Sequence, residues 1–187
     1  LGLRVVALTE MGDAFDPIAL FYKNNDDPKG IQIINVPLSG DQVTTGSLGL
    51  DPAKEYHVTD FWAQDYVGRF KGNQSITSKI KPQESRILSV REAKSHPQVI
   101  STDRHIMQGM FELNEVSCKN DTLSGKLDII ENDPITITIA RNGQTAKAMV
   151  SSNTPGIEVK VTETNAEWVK VKFKSPTTQT IAWEVTF

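Results

Sequence analysis

The sequence predicts an all-β protein built from two tandem antiparallel β-sandwich modules, Greek-key or immunoglobulin-like, spanning 1–94 and 95–187. Three observations carry that prediction. Apolar residues alternate with polar ones in many short runs, the period of a half-buried strand. Turn chemistry recurs between the runs at about the 8–12 residue spacing of sandwich folds. No segment sustains apolar positions at helical spacing over three turns.

In chain order, "LRVVAL" (3–8), "IALFYK" (18–23) and "IQIINV" (31–36) read as strands. Gly12-Asp13 and the run from Asn24 through Pro28 and Gly30 separate them with turn residues. Residues 40–50 are polar and glycine-rich and read as a loop. Asp51-Pro52 then introduces a strand from Tyr56 to Trp62, a short turn at "AQD", and a return from Tyr66 to Phe70. "SITSKI" (75–80) and "SRILSV" (85–90) follow, joined by a turn at Pro82. The polar, Pro97-containing stretch at 92–98 marks the boundary between the modules.

In the second half, "ITITIA" (135–140) places Ile135, Ile137 and Ile139 on one face. Asn142-Gly143 takes positive φ cheaply, so a tight hairpin is expected, with "TAKAMV" (145–150) returning and Ala146, Ala148 and Val150 inward. "IEVKV" (157–161), "VKVKFK" (169–174) and "IAWEVTF" (181–187) alternate as well, the last with Ile181, Trp183, Val185 and Phe187 on one face. Lysines on the outer faces keep such strands soluble.

Composition excludes several classes. The net charge is −3 with no basic stripe, which argues against nucleic acid as a partner. No apolar run reaches the ~18 residues of a membrane span. Cys118 is the single cysteine, so no internal disulfide forms and stability rests on packing. The chain opens at Leu1 with no signal peptide in view, which reads as a processed or excised piece of a longer polypeptide.

"YHVTDFWAQDYVGRFKG" (56–72), followed by "SITSKIKPQESRILSV" (75–90), resembles the C-terminal β-sandwich of melibiase-type α-galactosidases and related bacterial glycoside hydrolases. "HPQVISTDRHIMQG" (96–109) and "TLSGKL" (122–127) are similar to phrases that follow this sandwich in a subset of them. The resemblance covers 56–127 well, 1–55 less closely and 128–187 weakly; Glu84 departs from the His or Gly common in the proline turn. In that family the chemistry belongs to a (β/α)₈ barrel N-terminal to the sandwich, which needs about 200 residues with alternating helices. Nothing in this sequence supplies it, so no catalytic residue is carried over, and no cofactor is implied. The resemblance implies a non-catalytic accessory region whose partners are that missing barrel and a polysaccharide or oligosaccharide. It alone favours a periplasmic or secreted bacterial location.

Two other classes compete. A stand-alone carbohydrate-binding module needs exposed, coplanar rings, drawn from Trp62, Tyr66, Trp168 and Trp183. Of these, Trp168 is expected to point outward, opposite Val169, Val171 and Phe173. Trp62 and its neighbours are read primarily as hairpin core. A small sandwich-fold glycosidase needs two facing carboxylates. Asp60 and Asp65 are the only acids beside aromatics, and turn chemistry explains them more simply. His96, Asp103 and His105 lack the spacing of a familiar metal site, so no metal is assigned. Arg104 and His105 are expected to fix the inter-domain joint by bridging backbone carbonyls. Cys118 reads as a small packed residue, and the sequons at Asn73 and Asn120 matter only in a eukaryotic secretory setting.

Overall fold

The computed structural model describes residues 3–9, 18–22, 31–35, 42–44, 50–72, 74–77, 85–106, 108–109 and 111–187, with side chains from Leu50 onward except at Thr77, Ser85 and Arg86. The chain is all-β, and every strand pairing is antiparallel. Among the described residues no helix is long and apolar enough to cross a membrane. Two compact units divide the chain, Leu1–Ala93 and Lys94–Phe187.

The first unit holds strands β1 (Leu3–Thr9), β2 (Ile18–Tyr22), β3 (Ile31–Asn35), β4 (Gln42–Thr44), β5 (Glu55–Asp60), β6 (Asp65–Lys71), β7 (Ser75–Thr77) and β8 (Ser85–Glu92). Six of them form one sheet in the order β3-β2-β1-β8-β5-β6, while β4 and β7 pair separately. Residues 42–44 are therefore strand where the sequence reads as loop; three residues are too few for alternation to show. Lys23, Val36, residues 78–80, Asn73, Glu84 and the turns at Gly12-Asp13, 24–30 and Pro82 lie outside the described residues. β5 is buried on both faces: Tyr56 and Val58 on one, His57 and Thr59 on the other. The second face is polar, and Ser89 and Arg91 of β8 lie directly opposite Thr59 and His57.

The second unit holds β9 (Gln98–Thr102), β10 (Leu113–Lys119), β11 (Thr122–Ile129), β12 (Ile135–Ala140), β13 (Met149–Ser152), β14 (Glu158–Thr164), β15 (Trp168–Lys174) and β16 (Gln179–Thr186). Its two sheets run β10-β11-β16-β13 and β14-β15-β12-β9. They share one apolar core, which makes this unit a β-sandwich. Ile135, Ile137 and Ile139 of β12 face Phe173, Val171 and Val169 of β15 in register, all of them fully buried. Leu123, Leu127 and Ile129 of β11 close the core with Ile181, Trp183 and Val185 of β16. Gly125 lies directly across from Trp183, and a Cβ there would come within 3.1 Å of the indole. The glycine thus makes room for the ring.

The expected hairpin at Asn142-Gly143 is not formed. Both residues do adopt positive φ, at 49° and 95°. The chain after them crosses to the other sheet, where β13 pairs with β16, while β12 pairs with β15 and β9. The Arg141 guanidinium explains the crossing: it donates to the Gln144 and Ala146 carbonyls and to Thr164 Oγ1, giving backbone groups a partner other than a ladder. Ala146 is exposed, Val150 is half-buried, and Ala148 enters the core. The tight hairpin of this unit lies elsewhere, between β10 and β11. There Asn120 and Asp121 take φ of 49° and 61°, the conformation of a two-residue I′ turn.

Candidate functional site

Trp62 is placed differently from its predicted strand position. β5 ends at Asp60, two residues early, because Asp60 Oδ1 accepts the Trp62 and Ala63 amides at 3.0 and 3.2 Å and bends the chain into a turn. The indole therefore stands at the hairpin tip, 59% exposed, instead of filling the hairpin core. Phe61 is buried beneath it, with the two rings edge to face at 5.0 Å between centroids. Tyr56 is buried, while Tyr66 and Phe70 are half-buried. The Tyr66 hydroxyl meets His57 Nδ1 at 2.9 Å. Asp60 and Asp65 sit opposite each other in register, and both serve the backbone: Asp65 Oδ1 accepts the Tyr66 amide.

In the second unit, Trp168 is half-buried at the start of β15, with Val169, Val171 and Phe173 turned into the core. The Lys170 ammonium lies 5.1 Å from the indole centroid and also pairs with Glu163, so one ring face already has a partner. Trp183 is 2% exposed and packs edge-on against Phe173, which removes it from any surface platform.

A cavity of about 350 Å³ opens at one end of the β10-β11-β16 sheet. Such a volume lies at the lower end of the ~300–1,000 Å³ range of small-molecule sites. Four segments remote in sequence meet there: Arg104-His105, Phe111-Glu112, Asp128 to Ile130, and Thr178 to Thr180. Ile129 is buried, whereas Phe111 and Ile130 are large apolar side chains left exposed at 61% and 48%. Glu112 is buried and accepts the Thr102 hydroxyl at 2.8 Å and the Phe111 amide at 3.2 Å, which ties the approach to β10 onto β9. On the outer face of the sheet, Asp128 accepts the Thr180 hydroxyl through Oδ1 and the Asn114 amide through Oδ2, the latter at 3.3 Å.

Arg104 braces this end of the unit. Its Nη1 donates to the Asp128 carbonyl at 3.1 Å; its Nη2 donates to the Asp133 carbonyl and pairs with Asp133 Oδ2 at 3.2 Å. The predicted bridging of backbone carbonyls is thus formed by Arg104, and these partners all belong to the second unit, whose turns they stitch together. His105 is exposed at the cavity rim. Among the described residues no group of three His, Cys, Asp or Glu side chains is placed to hold a metal ion.

Cys118 is half-buried on β10. Burial pushes its thiol pKa up, and the Asp121 carboxylate adds in the same direction. Because the folded value lies above the unfolded one, the stability this thiol contributes is present at neutral pH and is lost as pH rises through the folded value. Iodoacetamide at about pH 8.5 is expected to alkylate the folded chain several-fold more slowly than the chain in urea, since only the thiolate reacts. Equal rates would contradict this placement.

Comparison with family models, with curated proteins and with solved structures finds no match to the chain. The sequence did not mark Phe111, Asp128 or Ile130 as site residues. Phe111 and Ile130 lie outside any alternating run, and Asp128 looks like any outward-facing strand acid. "TDRH" did draw attention to Arg104 and His105 through the resemblance, and to His105 as a metal-ligand type without a familiar spacing.

Proposed function

We propose that the chain is a non-catalytic accessory β-sandwich region of an α-galactosidase-like glycoside hydrolase, packing through its first unit against a catalytic barrel. Trp62 carries this reading. It is a large ring presented to solvent on a turn fixed by Asp60, at the tip of the very hairpin that bears the family resemblance. Rigid exposed aromatics of this kind are the usual anchors of protein interfaces. The resembling segments are also spatial neighbours: β5 lies beside β8, with Tyr56 opposite Glu92 and Asp60 opposite Leu88. Asp60 spends one carboxylate oxygen on the turn amides, which gives the small-enzyme alternative little support.

Reading the gene upstream of the Leu1 codon tests the proposal. An in-phase barrel of about 200 residues or more is expected. In that longer polypeptide, Trp62→Ala is expected to lower the unfolding midpoint of the barrel. In the isolated chain the same change is expected to cost less than about 0.5 kcal/mol, as for other surface substitutions. An upstream sequence without a barrel would overturn the reading.

A further inference from the structure

We propose that the cavity of the second unit binds one neutral hexopyranose unit of a glycan, its C–H face on the Phe111 ring and its hydroxyls donating to the Asp128 carboxylate. The choice of a saccharide ligand rests on the reading of the chain as a glycosidase accessory region. The chemistry of the cavity supports it separately.

Three features define what fits. The wall offers apolar surface, since Phe111 and Ile130 both belong to the lining and are largely exposed. A ligand must therefore offer an apolar face. The lining includes the exposed Asp128 carboxylate, which can only accept. The ligand must therefore donate. No strong cation is open to it: the Arg104 side chain is 7% exposed, and its two terminal nitrogens are committed to Asp128 and Asp133. Phosphates and other anions are disfavoured on that ground.

A pyranose meets all three conditions. It carries a face of C–H groups that packs on an aromatic ring and an edge of hydroxyls that both donate and accept. Each Asp128 oxygen accepts one bond from a neutral group and retains a further lone pair. The carboxylate can thus accept from sugar hydroxyls while keeping its bonds to Thr180 and Asn114. An alkylammonium would satisfy the carboxylate but would waste the apolar wall on one side.

The test is a titration of the chain, followed by amide NMR, with the methyl α- and β-glycosides of galactose, glucose and mannose. Methylammonium chloride and inorganic phosphate serve as controls. Saturable shifts centred on Phe111, Asp128 to Ile130 and Thr178 to Thr180 are expected with at least one glycoside. Phe111→Ala and Asp128→Asn are each expected to weaken that binding by about tenfold or more. Both positions are exposed, and an unchanged unfolding midpoint shows that the fold is intact. Shifts confined to the Trp62 hairpin or to Trp168, shifts with methylammonium but no glycoside, or no saturable shift at all would each overturn the site. None of these outcomes touches the accessory reading, which stands or falls on the upstream barrel.

Discussion

Replacing Trp183 with alanine is expected to destabilise the second unit by about 3–5 kcal/mol, the cost of deleting a large buried ring and leaving a cavity. The indole is almost fully buried in the shared core, edge-on to Phe173 and directly above Gly125. Collapse into the space is hindered because β11, β12 and β15 are paired strands whose inward apolar side chains are already buried in the same core. Trp183→Phe is expected to cost far less. Trp183 Nε1 meets no hydrogen-bond acceptor among the described residues, so phenylalanine keeps most of the packing and removes an unsatisfied donor. Urea denaturation followed by circular dichroism reads both changes. Similar losses for the alanine and phenylalanine variants would show that the ring is not held as described.

Arg104→Ala is expected to cost about 2–3 kcal/mol, in the range for hydrogen bonds made by charged groups. The guanidinium joins three acceptors on two segments, the Asp128 carbonyl and the carbonyl and carboxylate of Asp133. Its truncation leaves those carbonyls without this donor and removes the packing of the buried stem. Arg104→Lys is expected to recover little, because an ammonium cannot reach two carbonyls with a planar fork. Asp133→Asn is expected to cost under about 1 kcal/mol, since the Asp133 side chain is largely in solvent and its ion pair is screened. The ordering of the three midpoints in thermal unfolding checks the assignment. An Arg104→Ala midpoint equal to that of the unaltered chain would refute it.

The all-β class and many strands were legible because period two is a local property. "ITITIA" and "VKVKFK" show it without interruption, and each is a strand with its apolar face buried. Of β10 only the stretch around Cys118 read as a strand end, and β11 was not singled out, for two physical reasons. In β10 a bulge at Glu115, with φ of 53°, shifts the register between Asn114 and Ser117 and breaks the alternation. In β11 the inward position between Leu123 and Leu127 is Gly125, so the apolar row has a gap where Trp183 fills the space from across the sheet. Partner choice was less legible still. Asn142-Gly143 has the right turn chemistry, yet the core position of Ala148 and the Arg141 bonds send the chain across the sandwich. Trp62 was visible as an aromatic, but its exposure depends on where Asp60 ends the strand. The cavity could not be read at all, because its four segments meet only after both sheets have formed.

The reversal at Asn120 and Asp121 bears on the order of assembly. A two-residue link closes with the least loss of chain entropy, whereas β12 must find β9 and β15 across long intervening stretches. The β10–β11 ribbon and the β14–β15 hairpin, one in each layer, are therefore expected to form before the pairings of β11 with β16 and of β12 with β9, which span far longer stretches of chain.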